Sequence, residues 1–338
     1  PTVSVLIPAR NEDALLSDCI ESVIASDYPK LEVIVLDDCS QDSSSEIIKS
    51  FAQKGVRFIQ GEAPKDNWLA KNQAYDVLAS SASGDWFLFM GVDVRLGKKT
   101  IRELVSGALN KNLKMVSVLP KLHTHQASEI FTPLRYYWEL ALPRFVMRHP
   151  PALSTCWVIE SDAFRSMGGL SSVSQSVLPE RNFAENINKQ KKYAFCKASD
   201  NLYVGTVKRY KEQVDMSERL LYPQLKKSTF RLTLLCSVVA LSLTPYVYVA
   251  SLLFHKDYLK LALALAALVP GLVSYLMVFM AQGMQYKLTR VAILPYLLIQ
   301  EVILAFISSY RYEFSEVIWK GRNVCYPILK VIPRLPKA

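Results

Sequence analysis

The fold is decided by residues 3–12, which read VSVLIPARNE. The largely apolar, mostly β-branched run Val3–Ile7 is typical of a buried β-strand. The apolar run stops at Arg10-Asn11-Glu12, and a helical pattern follows. A strand, a polar loop and a helix in this order predict the first unit of a parallel α/β sheet.

The same alternation of short apolar runs and helical spacing continues over the next eighty or so residues, which predicts a mainly parallel sheet with helices on its faces. In such a sheet ligands bind outside the carboxyl ends of the strands, so the loops after Ile7, Leu36 and Met90 should converge. The predicted strands are Val3–Ile7, Glu32–Leu36, Val56–Gln60 and Trp86–Met90, and the predicted helices are Asp13–Ser26, Asp42–Lys54 and Lys71–Ser80.

The composition changes after Arg231. Leu232–Phe254 and Leu261–Met280 contain no charged residue, and each reaches the ~20 apolar residues needed to cross a bilayer. Val291–Tyr310 is a third apolar segment, but Gln300-Glu301 interrupts it, and a carboxylate is costly in lipid. We therefore predict an α/β domain over residues 1–225 and a hydrophobic membrane region with a basic tail over residues 226–338.

The formal net charge of +10, with 51% hydrophobic residues, fits a basic protein at an anionic membrane leaflet. The Lys and Arg residues are scattered, and no nucleic-acid-binding motif accompanies them, so nucleic acid is not expected as a partner. The six cysteines are widely separated and include no CxxC pair. This spacing predicts free thiols in a domain that faces the reducing cytosol.

Acidic residues follow two of the predicted strands. Asp37-Asp38 comes after the second strand, and Asp93 follows the fourth. Carboxylates at the end of a buried strand need water, a hydrogen-bond donor or a metal ion, and Mg²⁺ or Mn²⁺ prefers oxygen ligands shared with phosphates. The structural alternatives are helix capping by Asp38, Ser40 or Asp42 and an ordinary strand-end turn at Asp93.

In this order and spacing, the three loops resemble those of the family 2 glycosyltransferases of the GT-A fold, and the resemblance covers residues 1–225. Residues 68–74, WLAKNQA, resemble the family's Trp-x-Gly-Lys-x-x-Ala segment, which implies that Lys71 contacts the donor phosphate. A solvated lysine at the start of a helix is the alternative. For the first two loops the resemblance implies nucleotide-sugar contacts from Pro8, Ala9, Arg10, Glu12, Asp37 and Asp38.

Three residues depart from the family pattern. Cys39 replaces the glycine of the second loop, and Ala70 replaces the glycine before the lysine. Gly91 replaces the first acidic residue of the Asp-x-Asp motif. The resemblance implies that Asp93 binds Mg²⁺ or Mn²⁺ as the single protein carboxylate on the metal. The pair His123-Thr-His125 could add a metal ligand, with a solvent-facing loop as the alternative.

The resemblance also implies a catalytic base after a Gly-Gly turn. Gly168-Gly169 is followed by residues 178–184, LPERNFA, which resemble the family's Glu-Asp-x-x-Leu-Ala segment. Glu180 aligns with the residue that takes the acceptor proton in an inverting transfer. Glu185 is the second candidate, and a surface ion pair with Arg181 or a nearby lysine is the structural alternative for Glu180.

Two elements near the membrane region extend the resemblance. Arg219 is the nearest match to a Gln/Arg-x-x-Arg-Trp element, which implies a contact with the donor diphosphate, and attraction to anionic headgroups is the alternative. Trp319–Arg322 resembles a C-terminal element of members that act on lipids. It also fits an interfacial anchor.

Together these features predict an inverting glycosyltransferase that moves a sugar from a UDP- or GDP-sugar to a hydroxyl of a membrane lipid or lipid-like acceptor, with Mg²⁺ or Mn²⁺. The catalytic domain is expected on the cytoplasmic face, and Val291–Tyr310 is expected to be re-entrant or to lie along the interface. The alternative is a non-catalytic nucleotide-sugar-binding membrane partner protein that retains the fold, which Cys39, Ala70 and Gly91 favour.

Overall fold

The computed structural model describes residues 1–122, 131–141, 149–252, 257–283 and 291–323. His123, His125 and the tail after residue 323 lie outside these ranges. The described residues form two compact units. The first contains residues 1–122, 136–141, 149–208 and 277–283, and the second contains residues 131–135, 209–252, 257–276 and 291–323. The domain boundary at residue 225 stays a prediction.

The first unit contains two sheets. Its strands are β1 Val3–Ala9, β2 Leu31–Asp37, β3 Val56–Gln60, β4 Trp86–Met90, β5 Val94–Leu96, β6 Met115–Leu119, β7 Lys121–Leu122, β8 Cys156–Glu160, β9 Tyr193–Lys197 and β10 Val204–Thr206. Seven of them form one sheet in the order β3-β2-β1-β4-β8-β6-β9, and three form a small sheet in the order β5-β10-β7. In the large sheet β8 runs antiparallel to β4 and β6, and the other pairings are parallel.

Helices of the first unit cover both faces of the large sheet. Side chains of β4 alternate between two buried clusters, with Leu88 in one and Phe87 and Phe89 in the other. A strand that is buried on both faces reads as a continuous apolar run, as Trp86–Met90 does. The helices are α1 Asp13–Ile24, α2 Ser44–Ser50, α3 Ala70–Ser81, α4 Thr100–Asn110, α5 Arg135–Ala141, α6 Ser161–Ser166 and α7 Pro179–Lys189.

The predicted parallel sheet is confirmed. The third and fourth predicted strands have the predicted bounds, and the first two extend by one or two residues. The predicted helix Asp42–Lys54 is shorter, because α2 begins at Ser44 and a separate 3-10 turn follows at Ala52–Lys54. Gly55, with φ 83°, ends that turn.

The second unit is mainly helical, with α8 Tyr210–Gln224, α9 Thr229–Leu252, α10 Tyr258–Ala281, whose last turn belongs to the first unit, and α11 Leu294–Phe314. By length and composition α9 and α10 could each cross a membrane. Many of their large apolar side chains are exposed, among them Phe230, Leu241, Val247, Leu259 and Leu263. The bounds agree with the two charge-free segments predicted from the sequence to within three residues.

The polar pair that interrupts α11 is turned toward protein. Glu301 is fully buried, and its Oε2 accepts a hydrogen bond from the Leu134 backbone N–H at 3.0 Å. Gln300 Nε2 donates to the Phe131 carbonyl at 3.1 Å, and Gln300 Oε1 accepts from the Tyr210 hydroxyl at 3.2 Å. The predicted third apolar segment is therefore a helix whose carboxylate has a protein partner.

A short hairpin follows α11, formed by β11 Ile318–Trp319 and β12 Arg322–Asn323. Lys320 and Gly321 make its turn with φ values of 48° and 74°. Two consecutive left-handed residues are the signature of a tight two-residue hairpin turn. The predicted Trp319–Arg322 element is thus an ordered reversal of the chain.

Candidate active site

Arg10 ties the first strand-end loop to the second. Its Nη1 donates to the carbonyl oxygens of Asp38 at 2.6 Å and Cys39 at 3.0 Å. The parallel pairing of β1 and β2 sets Pro8 beside Leu36 and Ala9 beside Asp37, so both strands end at the same edge. The predicted convergence of these two loops is confirmed.

The loops are further joined by backbone hydrogen bonds. The Asn11 N–H donates to Ser40 Oγ at 3.0 Å, and the Gln41 N–H donates to Asn11 Oδ1 at 2.9 Å. Glu12 precedes α1, and its N–H donates to Ser44 Oγ at 3.0 Å. These bonds hold both loops in one fixed conformation.

The two aspartates of the second loop are both buried but have different surroundings. Asp37 Oδ1 accepts from the Ser40 N–H at 3.1 Å and Oδ2 from Gln60 Nε2 at 3.4 Å, so this side chain braces its own loop. Asp38 N–H donates to the Ala9 carbonyl at 2.8 Å. Of the three residues considered for capping, Asp38, Ser40 and Asp42, it is Asp42 whose carboxylate accepts hydrogen bonds at the starts of α2 and α1, from the Ser44 and Asp13 N–H groups.

Cys39 takes the backbone conformation that the family's glycine would allow. Its φ is 55°, in the left-handed region, and its Sγ donates to the Gly61 carbonyl at 3.5 Å. A Cβ at Gly61 would lie 2.8 Å from the Asp37 carbonyl oxygen. The end of β3 therefore backs this loop closely, and Cys39 adopts a left-handed φ that glycine would adopt without strain.

The start of α3 brings Lys71 to the end of β4. Lys71 Nζ lies 5.4 Å from the centre of the Tyr75 ring, a cation–π distance. The Tyr75 hydroxyl donates to the Met90 carbonyl at 3.1 Å, which fixes this helix against β4. Asn72 anchors the same helical turn by donating to three carbonyls, those of Val173, Ser174 and Ser176.

Asp93 is held by Thr206, the last residue of β10, and by Lys208, two residues after that strand. Its Oδ2 accepts from Lys208 Nζ at 2.8 Å and from Thr206 Oγ1 at 2.9 Å. Burial raises the pKa of Asp93. The Lys208 charge, these two hydrogen bonds and the Lys71 charge lower it by a larger amount, so the resulting pKa is about 2. Asp93 is therefore a fixed anion at neutral pH.

Glu180 lies in the first turn of α7 and is 1% exposed. A stack of aromatic rings holds this helix on the sheet. The Phe89 and Trp157 ring centres are 4.1 Å apart, and those of Trp157 and Phe183 are 5.9 Å apart. The chain of contacts from β4 through β8 to α7 fixes the position of the carboxylate relative to β4.

A buried ion pair lies next to Glu180 in the sequence. Arg181 Nη2 binds Glu139 Oε2 at 3.1 Å, and Glu139 Oε1 lies 3.9 Å from His149 Nδ1. Burial, followed by the Arg181 charge, lowers the pKa of His149. The predicted alternative of a surface ion pair between Glu180 and Arg181 does not fit, because both residues are buried and Arg181 binds Glu139.

The Tyr75 hydroxyl lies near both the predicted catalytic residue, Glu180, and the predicted metal ligand, Asp93. Its pKa is raised well above the ordinary value, first by burial and then by the negative charges of Glu180 and Asp93. The first unit thus contains the first two loops, and it places Lys71, Asp93 and Glu180 near Tyr75. Arg219 lies in the second unit, on α8, where its carbonyl accepts from the Tyr312 hydroxyl at 2.8 Å.

Four residues of this region were not predicted as site residues: Thr206, Lys208, Tyr75 and Glu139. Lys208 and Thr206 lie more than a hundred positions from Asp93, and no local motif marks the pairing. Tyr75 follows Lys71 by one helical turn, so helical spacing indicates that these two side chains are neighbours.

The side chains around Asp93 do not fit a divalent metal ion. In the part of the chain that the structure describes, no group of three or more His, Cys, Asp or Glu side chains could hold one. Asp93 Oδ2 already accepts from an ammonium and a hydroxyl, and Oδ1 lies over Gly91, 2.7 Å from where a Cβ would be. A divalent cation bound there would repel the adjacent Lys208 ammonium.

Comparison with known proteins gives a family for this region. Residues 4–165 match the family described as Glycosyl transferase family 2. The match includes the first two loops, Lys71 and Asp93, and ends before Glu180 and Lys208.

Curated relatives match over the same part of the chain. A probable glycosyltransferase of Bacillus subtilis strain 168 is 32% identical over 114 residues, which are 32% of this chain and 27% of that protein. The 4,4'-diaponeurosporenoate glycosyltransferase of Staphylococcus haemolyticus is 32% identical over 104 residues, or 31% of this chain and 27% of that protein. The chain thus spans about a quarter of the length of these relatives.

A solved structure shows the same fold over most of the chain. The mannosyltransferase of Pyrobaculum calidifontis, in complex with GDP-Man and Mn²⁺, superposes with a TM-score of 0.54 at 15% identity. The superposition covers 91% of this chain and 87% of that chain. Residues 4–165 thus resemble the glycosyl transferase family 2, and the chain has a GT-A-like α/β fold.

Proposed function

We propose that this chain is an inverting glycosyltransferase that moves a sugar from a nucleotide-sugar donor to a hydroxyl of a membrane lipid or lipid-like acceptor. The observation that carries the proposal is a pair of carboxylates, the buried Glu180 and the partly buried Asp93, whose charges both act on the Tyr75 hydroxyl. They lie beside the strand-end loops of the region that matches glycosyl transferase family 2.

The donor binds along the first two loops. Asp38 contacts the base and ribose, and Asp37 braces the loop behind it. The opposite side of the nucleotide site is formed by the first loop, with Pro8, Ala9, Arg10 and Glu12. Arg10 fixes the separation of the two loops through its bonds to the Asp38 and Cys39 carbonyls. Lys71, next to the end of β4, contacts the diphosphate. A rigid loop pair of this kind suits a ligand that must be held in one orientation.

The chemical step is an in-line displacement at the anomeric carbon. Glu180 accepts the proton of the acceptor hydroxyl as its oxygen forms the new bond to that carbon. The bond from the anomeric carbon to the phosphate oxygen breaks, and the nucleoside diphosphate leaves with the bonding electron pair. The burial of Glu180 keeps water away from the base, which favours transfer over hydrolysis of the donor.

The helices of the second unit support a lipid-like acceptor. Their exposed apolar side chains need an apolar environment, and a bilayer provides one for helices of this length. One relative is named as a glycosyltransferase of 4,4'-diaponeurosporenoate. We place the catalytic domain on the cytoplasmic face, with α11 re-entrant or along the interface, since Glu301 has a protein partner.

Arg219 keeps its proposed contact with the donor diphosphate. The family resemblance implies a divalent metal ion, whereas the side chains around Asp93 do not fit one. The Pyrobaculum mannosyltransferase was solved with Mn²⁺, whereas Asp93 binds a lysine. Every donor assay is therefore made with Mn²⁺ and, in parallel, with EDTA.

The proposal is tested with purified full-length protein in nanodiscs and radiolabelled UDP- and GDP-sugars, with a lipid extract as acceptor. Organic extraction and thin-layer chromatography should recover label in a lipid fraction. Glu180→Gln protein in the same nanodiscs is the matched control. Donor hydrolysis alone would support the enzyme but not the lipid acceptor.

The second candidate function, a non-catalytic nucleotide-sugar-binding membrane partner protein, rests on Gly91 in the Asp-x-Asp position. It predicts saturable nucleotide binding without turnover under every one of these conditions. A lipid product that requires Glu180 would exclude it.

A further inference from the structure

Lys208 occupies the position at which a cation would meet Asp93. Its Nζ lies 2.8 Å from Asp93 Oδ2, and both side chains are largely buried, at 20% and 18% exposure. Thr206, two residues earlier, donates to the same oxygen at 2.9 Å. Both residues come from the β10 segment, whose strand pairs with β5 directly after Asp93.

The backbone fixes this arrangement. Thr206 is the register partner of Val94, and the Val207 N–H donates to the Asp93 carbonyl at 3.1 Å. Lys208 thus follows a strand that is hydrogen-bonded beside Asp93 itself. The pairing of β10 with β5 therefore places residue 208 beside Asp93 and allows the ion pair to form.

A second ammonium acts on the same carboxylate. Lys71 lies close enough to Asp93 for its charge to act on it, and its Nζ lies over the Tyr75 ring. Two lysine ammonium groups therefore act on this one carboxylate. Such an environment attracts an anion and repels a further divalent cation.

We propose that the Lys208 ammonium, oriented by Asp93, takes the place of a divalent metal ion at the donor diphosphate, so that donor binding and sugar transfer need no metal. This inference rests on the proposed function and assigns a role to a residue that the family match does not reach. An ammonium carries three donor hydrogens, so one can bind Asp93 while others bind phosphate oxygens.

The charge balance of the reaction fits this role. As the anomeric C–O bond breaks, the diphosphate oxygen gains negative charge, and a fixed ammonium nearby stabilises it without reorganising. Lys208 contacts the leaving diphosphate, in addition to the contacts proposed for Lys71 and Arg219. Asp93 is a positioning residue that acts through Lys208, which explains why one carboxylate suffices where the family pattern has two.

The test measures nucleotide binding by calorimetry, with UDP and UMP, and with GDP and GMP, each in EDTA and in Mn²⁺. The variants are Lys208→Gln, which removes the charge, and Lys208→Arg, which keeps it. Lys121→Gln is the matched control, because Lys121 is a lysine of the same small sheet in an ion pair of the same 2.8 Å length with Asp200.

We expect the wild-type protein in EDTA to bind the diphosphate at least about tenfold more tightly than the monophosphate, as one charge-assisted hydrogen bond predicts. Lys208→Gln should reduce this preference by about tenfold and keep its monophosphate affinity, which also shows that the variant is folded. Lys208→Arg should recover part of it, and Lys121→Gln should match the wild type. Transfer by the wild type should persist in EDTA.

The inference is overturned if the diphosphate preference appears only with Mn²⁺, or if Lys208→Gln retains it in EDTA. The same holds if Lys208→Gln binds the diphosphate more tightly than wild type once Mn²⁺ is added, since that result would mean that the lysine blocks a metal site. These outcomes leave the proposed function standing. Failure of every nucleotide to bind under both conditions would instead remove the proposed function itself.

Discussion

The Asp93 carboxylate lies over Gly91, with its Oδ1 only 2.7 Å from the position of a Cβ at residue 91. A side chain there would force Asp93 to rotate away from Lys208 and Thr206. We predict that Gly91→Ala lowers the free energy of unfolding by about 1–3 kcal/mol, the cost of disrupting a buried charged hydrogen bond, and lowers diphosphate affinity. Chemical denaturation and calorimetry measure the two effects.

Gly107→Ala is the control for that change. Gly107 lies inside α4, and a Cβ there meets no atom within 4 Å. Alanine in a helix interior should be neutral or stabilising, by up to about 1 kcal/mol. Equal losses in both variants, or an unchanged diphosphate affinity in Gly91→Ala, would contradict the predicted role of the glycine.

Glu180→Gln should preserve donor binding and reduce transfer by about 10²–10⁴-fold, because the amide cannot accept the acceptor proton. Steady-state rates and calorimetry on the same preparation separate the two quantities. Glu185→Gln, one turn further along α7 and half-buried, is the matched control and should stay active. Transfer by Glu180→Gln within about threefold of wild type would move the base to Glu185.

The strands and the two loops could be predicted because their signals are local. The run Trp86–Met90 is apolar throughout, and the polar residues that follow it mark a strand end in an open sheet. The buried strand Cys156–Glu160 was not predicted. This strand runs antiparallel to its two neighbours in the large sheet, so it is not part of a strand–helix–strand pattern that the sequence could indicate.

The surroundings of Asp93 could not be predicted, because they depend on register between distant strands. The pairing of Thr206 with Val94 brings Lys208 to Asp93. A single sequence contains no signal for that pairing. The resemblance therefore pointed to a metal ion at a carboxylate that the fold pairs with a lysine.

Cys39 provides a test of the second loop. Because its φ is 55°, Cys39→Gly should leave nucleotide affinity within about threefold of wild type, while the β-branched Cys39→Val should be strained by at least about 1 kcal/mol. Thermal unfolding and UDP or GDP titration measure both variants. Tight nucleotide binding by a stable Cys39→Val protein would show that the loop does not need this conformation.

The ion pair between Arg181 and Glu139 should stabilise the position of α7. Arg181→Leu leaves Glu139 buried without its 3.1 Å partner, and we expect a loss of about 3–5 kcal/mol of unfolding free energy. Adding Glu139→Gln should restore part of it, because the uncompensated charge is then gone. Denaturant unfolding of the four proteins completes the cycle, and additive single effects would mean that the two side chains do not interact.

The last prediction concerns topology: the catalytic domain and the hairpin after α11 lie on the cytoplasmic side. If α9 and α10 cross out and back, Lys287 and Arg290 of the sequence return to the side where basic residues accumulate. A third crossing by α11 would export the basic tail and place Glu301 near the bilayer centre, at about 2.5–3.5 kcal/mol if it were unpaired.

Single cysteines in a background without the native ones test this arrangement in sealed cells with an impermeant maleimide. Tyr258→Cys, at the exposed start of α10, should label in intact cells because the α9–α10 connection is outside. Asn323→Cys in the hairpin and Lys54→Cys in the catalytic domain should label only after permeabilisation. Labelling of Asn323→Cys in intact cells would mean that α11 spans the membrane, and absence of label at Tyr258→Cys would mean that the two apolar helices do not cross it.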